Sequence, residues 1–286
     1  MKGSRRNFNP LCAVCLSLSL LVPSVFLPVK ADADAVYEET EDNNTFDTAN
    51  TLPANQPVQG VMGTEGENAD ESLDRDYYRF TMPGTGYVSF TLSFNTPEEL
   101  ILDPHITVYT KNEKEYYDYQ FSDSDGNAAS TVKFTPKKGE VYYVCVWHDY
   151  TYGAGLDYTL TADYTEADDY EVEPNDNIKA VKDQKFLKKG MTINGIMQKE
   201  RDRDYFKYKL NKKGKIRITF TLNEQADQPY VLTVFKKSGA KVKEVSEIID
   251  GTEFSTKKLK KGTYYICIEP EYDWDSVSKE YMLTVN

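Results

Sequence analysis

Histidine and cysteine are almost absent from this chain, and their scarcity excludes much chemistry. Of 286 residues, His105 and His148 are the only histidines, and there are four cysteines. No His-Glu-x-x-His and no Gly-x-Ser-x-Gly occurs, so neither a zinc-peptidase helix nor a nucleophile elbow is encoded. Cys12 and Cys15 fall in an N-terminal apolar stretch, and neither follows the small residue of a lipid-attachment motif. Cys145 and Cys267 remain, one in each half, which argues against a disulfide framework. Both alternate with Val or Ile and read as buried free thiols. No stretch repeats its apolar residues with a period of 3.6, and no second long apolar run follows the first.

The N-terminus reads as an export signal over residues 1–33. Lys2, Arg5 and Arg6 precede an apolar stretch at residues 11–27, and Ala31, Ala33 and Ala35 offer small residues for cleavage. The expected product is soluble, has no membrane span, and is secreted or held at the cell surface. Its charge is uneven. Residues 32–170 hold 7 Lys+Arg against 28 Asp+Glu, and residues 171–286 hold 23 against 18. Nucleic acid is a poor partner for such a chain.

Five blocks recur in the same order. Glu39-Thr-Glu41-Asp-Asn43-Asn44 matches Glu171-Val-Glu173-Pro-Asn175-Asp176, and Gly60-Val-Met62 matches Gly195-Ile-Met197. Asp74-Arg-Asp76-Tyr-Tyr78 matches Asp202-Arg-Asp204-Tyr-Phe206. The strands around Cys145 and Cys267, and those opening at Tyr158 and Tyr281, complete the set. Each copy alternates apolar and polar residues over short segments. Val88, Phe90, Leu92 and Phe94 do so in the first copy, and Ile216, Ile218, Phe220 and Leu222 in the second. Residues 77–82, 106–110, 132–135, 141–147 and 158–162 read as further strands, and Lys-Lys-Gly clusters punctuate the second copy. The expected fold is all-β: two tandem jelly-roll-like sandwiches at residues 36–164 and 171–286, joined by a polar linker at 165–170.

The acidic blocks suit a hard cation. Calcium takes six to eight oxygens, mostly carboxylate and amide. Alternate residues of an extended segment face one way, so Glu171, Glu173 and Asn175 can converge, with Asp176 adjacent. Asp202 and Asp204 open a strand and share a face. The first copy offers Glu39, Glu41, Asn43, Asn44, Asp74 and Asp76. Its Asn44 stands where the second copy has Asp176, one negative charge fewer. Such an ion would tie each leading strap to its sandwich, a staple in place of a disulfide.

Together these motifs resemble the bacterial pre-peptidase C-terminal domain, a module found attached to secreted peptidases and similar to the collagen-binding domains of clostridial collagenases. The resemblance covers both copies and implies a jelly-roll-like sandwich. It also implies calcium on Glu171, Glu173, Asn175, Asp176 and Asp204, with Asp202 beside them. Where the relatives carry a further aspartate, this chain has Arg201 and, in the first copy, Leu73. No peptidase domain accompanies the modules.

Two aromatic segments follow the cysteine strands: Trp147, Tyr150 and Tyr152 in the first copy, Tyr272 and Trp274 in the second. Tyr and Trp on loops offer flat apolar area with a polar edge, as a glycan or peptide platform needs, and edge-of-core packing accounts for them equally. Asp123-Ser-Asp125-Gly-Asn127 lacks the closing Glu of a calcium loop and reads as a turn, like Asp250-Gly251. The sequence thus points to an exported, calcium-stabilised, non-catalytic accessory module that contacts an extracellular glycan or protein polymer. A surface spacer without its own ligand is the alternative.

Overall fold

A computed structural model describes residues 37–62, 74–94, 104–120, 128–148, 156–199, 201–222, 229–272 and 279–286. The export segment, the Asp123–Asn127 turn, Tyr150, Tyr152 and Trp274 lie outside these residues. Nearly all regular structure is β, as alternation and turn spacing require, and no described helix is long and apolar enough to cross a membrane.

The first module runs β1 (Tyr37–Glu38), β2 (Asn50–Leu52), β3 (Pro57–Met62), β4 (Arg75–Thr81), β5 (Gly86–Phe94), β6 (Pro104–Thr110), β7 (Glu115–Gln120), β8 (Ala128–Ser130), β9 (Val141–His148) and β10 (Leu156–Glu166). The second runs β11 (Phe186–Leu187), β12 (Thr192–Ile196), β13 (Asp204–Leu210), β14 (Arg217–Leu222), β15 (Tyr230–Lys236), β16 (Lys241–Ile248), β17 (Thr252–Ser255), β18 (Gly262–Pro270) and β19 (Glu280–Val285). One sheet of the first module has the order β1-β3-β10-β5-β8, and its counterpart in the second is β12-β19-β14-β17. The facing sheets are β2-β4-β9-β6-β7 and β11-β13-β18-β15-β16. Apart from β1, which has no counterpart strand in the second module, the orders correspond, so the internal repeat is a repeat of topology.

β5 alternates buried and half-buried along its whole length, with Val88, Phe90, Leu92 and Phe94 inward. Each module has its own apolar core, one around Phe80, Phe90 and Phe134, the other around Phe220, Leu232 and Ile266. Truncating one such aromatic to alanine costs ~3–5 kcal/mol.

Two local expectations are corrected. Residues 132–135 form only an isolated bridge, Val88 to Phe134. The Thr131 hydroxyl takes the Phe90 N–H at 2.9 Å where a strand would offer backbone, and Pro136 has no N–H to continue a ladder. The linker also starts later than its composition suggests, because β10 pairs with β5 as far as Glu166 opposite Gly86.

The modules are docked through the segment that joins them. The Glu173 N–H donates to the Thr135 carbonyl at 2.9 Å, and the Lys137 N–H donates to the Glu173 carbonyl at 3.3 Å. The Gln198 amide donates to the Thr135 hydroxyl at 2.6 Å. Lys133 pairs with Glu280 at 2.5 Å, and the Tyr87 and Tyr170 rings lie 4.7 Å apart.

Candidate metal centres

Each strap lies across one end of its sandwich in the same way. In the second module the Glu171 N–H donates to Asn194 O at 2.8 Å, and in the first the Glu39 N–H donates to Gln59 O at 2.9 Å. Further along, Tyr205 N–H donates to Asn175 O at 3.1 Å and Tyr77 N–H to Asn43 O at 3.0 Å. These bonds hold the glutamates over the aspartate at the start of the facing strand, the first residue of β13 (Asp204) or the second of β4 (Asp76).

Glu171, Glu173 and Asp204 each bring a carboxylate oxygen within 4.8 Å of the others, and so do Glu39, Glu41 and Asp76. Two oxygens on opposite sides of a calcium ion, each bound at 2.3–2.6 Å, stand about 5 Å apart, so both clusters have a fitting span. The donors are all oxygen, which suits a hard cation and not zinc.

The hydrogen bonds show which oxygens stay free for an ion. Glu171 Oε1 accepts from Ile196 N–H at 2.6 Å and its Oε2 accepts from the Asn175 amide at 2.9 Å. Glu173 Oε2 accepts from Asn175 N–H at 2.7 Å, and Asp204 Oδ2 accepts from the Tyr281 hydroxyl at 2.6 Å. Glu173 Oε1, Asn175 Oδ1 and Asp204 Oδ1 are buried with no hydrogen-bond partner. The first module repeats the arrangement. Val61 N–H donates to Glu39 Oε1, the Asn43 amide to Glu39 Oε2, and the Tyr158 hydroxyl lies 2.6 Å from Asp76 Oδ2. There too Asn43 Oδ1 and Asp76 Oδ1 are buried and unpartnered. Buried acceptors without donors are rare and costly. Five of the seven such atoms among the described residues belong to these two clusters, all of them oxygens that a cation would satisfy.

Electrostatics agree. Burial, then repulsion from Asp202, pushes the Glu171 carboxyl up to about 8. Burial, then repulsion from Glu171, holds Asp204 well above the usual carboxylate range, and burial followed by Asp202 does the same to Glu173. In the first module burial, then Glu39, pushes Asp76 up to about 8. A cation among these groups would offset both the burial and the mutual repulsion.

Other expected ligands lie beside the clusters. Asp176 pairs with Lys199 at 2.5 Å. Asp202 accepts N–H bonds from Gln198 at 2.7 Å and Arg203 at 3.0 Å, and meets Lys199 at 3.4 Å. Asn44 is exposed, its amide on Asp42 and its carbonyl accepting from Arg75 N–H. Asp74 is half-buried and lies outside the first cluster.

Sequence reasoning missed the tyrosines. Tyr158 and Tyr281 hold the two aspartates, and this gives the repeated glycines their meaning. A Cβ on Gly60 would sit 2.3 Å from the Tyr158 ring, and one on Gly195 would sit 2.1 Å from that of Tyr281. Only glycine lets the ring lie across β3 or β12 and reach its aspartate. Tyr78 was missed too: its hydroxyl lies 2.6 Å from that of Tyr158 and 2.8 Å from Glu39, where the second module has Phe206. The signal was present in the recurring glycine and tyrosine blocks.

The aromatic platform is less open than its sequence suggests. Trp147 on β9 has His105 stacked at 4.1 Å from β6 and the Arg75 guanidinium at 4.5 Å from β4, on the other side. Its indole N–H donates to Thr107 at 2.7 Å, and the residue is half-buried. Tyr272 is 50% exposed. Cys145 and Cys267 are buried free thiols, with burial pushing both up to about 12.

Residues 74–148 match the family model of the bacterial pre-peptidase C-terminal domain, a segment within the first module. No curated protein matches the chain. Among solved structures, the chain is similar to the pre-peptidase C-terminal domain of a Bacillus anthracis collagenase, at 16% identity over 40% of this chain and 94% of that one, with a TM-score of 0.30. It is also similar to a secreted protein from Eubacterium rectale, at 10% identity over 86% of this chain and 83% of that one, with a TM-score of 0.27.

Proposed function

We propose, from the premise that residues 74–148 match the pre-peptidase C-terminal domain, that this chain is a non-catalytic, extracytoplasmic accessory protein whose two sandwiches are each stapled by calcium. The second module is read as another copy of the same domain, on its matching strand order and strap bonds.

One observation carries the calcium reading: in both modules the strap and the aspartate near the start of the facing strand carry unpartnered buried oxygens, five of the six such side-chain oxygens among the described residues. Glu171, Glu173, Asn175 and Asp204 would hold the ion in the second module, and Glu39, Glu41, Asn43 and Asp76 in the first. The ion would supply positive charge to buried carboxylates. Extracellular calcium is high enough to fill weak sites of this kind. Calorimetric titration of the chain with calcium should show binding and a raised melting temperature, both lost in an Asp76→Ala/Asp204→Ala double variant. A melting temperature indifferent to calcium and to chelator would sink the reading.

As an accessory module the chain would contact an extracellular glycan or protein polymer. Tyr272 remains the described aromatic with the most exposed ring in the two expected platforms. A glycan and collagen binding screen, repeated with Tyr272→Ala and Trp274→Ala, tests this. Silence across the screen favours the spacer.

A further inference from the structure

The two straps share one bonding scheme, and one is covered where the other is bare. In the second strap the backbone of Glu173 is taken up by the first module's edge, Thr135 O and Lys137 N, as a short parallel bridge to Pro136. Glu173 is 5% exposed. Its counterpart Glu41 is exposed, and no backbone hydrogen bond reaches it among the described residues.

The edge that covers Glu173 also has a counterpart. Thr135-Pro-Lys137-Lys138-Gly139 of the first module corresponds to Lys258-Leu-Lys260-Lys261-Gly262 of the second. Leu259 turns its N–H and carbonyl inward to Gly214. By strand alternation the Lys258 carbonyl and the Lys260 N–H face outward, and neither has a backbone partner among the described residues. One end of the molecule thus has a strap without an edge, and the other an edge without a strap.

Their charges are complementary. Glu38, Glu41 and Asp42 are exposed on the bare strap. Lys257, Lys258, Lys260 and Lys261 are exposed on the bare edge, with no ion pair among the described residues. Unpaired edges recruit strands of other chains, and charge selects which.

We propose that a second copy of this chain fills the gap. The Glu41 strap of one molecule adds to the residue 258–260 edge of the next, reproducing between molecules the contact that Glu173 makes with residues 135–137 within one. The contact is heterologous, so association is head-to-tail and open-ended rather than a closed dimer. Two backbone hydrogen bonds and a rim of exposed charges make it weak and salt-sensitive.

Sedimentation of the chain in calcium, from micromolar to near-millimolar concentration at low salt, tests it. The weight-average mass should keep rising past that of a dimer and fall back on adding salt. A Lys258→Glu/Lys260→Glu variant and a Glu38→Lys/Asp42→Lys variant should each stay monomeric alone, with unchanged melting temperature. Their equimolar mixture should associate, because each mismatched end then meets its complement. A wild-type chain that stays monomeric throughout, a closed dimer, or a mixture that fails to associate would overturn the proposal. None of these readouts depends on which cation fills the straps.

Discussion

The two clusters use the same residues at the same places, yet one is sealed and the other open. Glu171, Glu173 and Asp204 are all buried, whereas of Glu39, Glu41 and Asp76 only Asp76 is. Strap chemistry does not explain this, because the glutamates are identical. The neighbour does: the second strap runs between two sandwiches, against Thr135 and Gln198, and the first has sandwich on one side only. Burial raises the cost of unneutralised charge, so the sealed cluster should depend on its cation more than the open one.

The largest expected effect follows from that. At calcium a hundredfold above its dissociation constant, a bound ion stabilises a module by about 2.7 kcal/mol. For a module of this size that is on the order of 10 °C in melting temperature. Asp204→Ala should remove most of the calcium-dependent rise, and Asp76→Ala a smaller share. Scanning calorimetry with and without calcium ranks the two. Equal losses would erase the distinction between sealed and open sites.

Next comes pH. Burial raises the folded values of Asp76 and Glu171 to about 8, from ordinary values of 3.8 and 4.5. A raised carboxyl value means that the folded state holds protons the unfolded state has released. In chelator, stability should therefore be highest below about pH 4 as far as these groups decide it, and should fall as pH climbs from there towards 8. Calcium competes with those protons, so saturating calcium should flatten or invert the slope. Denaturant midpoints across that range give the answer, and a chelated protein that gains stability as pH rises would contradict it.

Much of this was legible in the residues. The alternation in Val88–Phe94 and the recurring blocks specify sandwiches and their duplication, because period two and turn spacing are local. The convergence of the strap glutamates was legible because residues i and i+2 of an extended strap share a face. What was not legible depends on contacts between distant segments. Nothing local to Tyr281 says that its hydroxyl reaches Asp204, 77 positions away. Nothing in Asp176 says that Lys199 occupies it. Trp147 looked like a platform because its partners, His105 and Arg75, come from other strands.

The tyrosines sharpen the comparison at a smaller scale. Tyr281→Phe leaves Asp204 Oδ2 without its donor in a buried site, which costs ~1–3 kcal/mol. Tyr158→Phe should cost less, because the Tyr78 hydroxyl already lies among Tyr158 and Glu39 and can re-aim, a reserve that Phe206 denies the second module. Chemical denaturation of the single variants measures the gap, and Tyr78→Phe combined with Tyr158→Phe should close it.

The smallest effect tests whether the neighbour seals the second site. Gln198 is buried, bonded through its side chain to Thr135 of the first module and through its own N–H to Asp202. Gln198→Ala removes the side-chain bonds to Thr135 and Tyr116 of the first module and leaves both clusters' carboxylates in place. Loss of one such hydrogen bond is worth about 1 kcal/mol, or roughly fivefold in affinity where it is coupled to binding. Calcium affinity of the second site should fall by about that factor while the first site is unmoved, because no part of the first cluster touches Gln198. Titrating Gln198→Ala in an Asp76→Ala background isolates the second site, and in an Asp204→Ala background the first. Equal shifts would mean that the substitution loosens the molecule generally; a shift at the second site alone would place the cause in the junction.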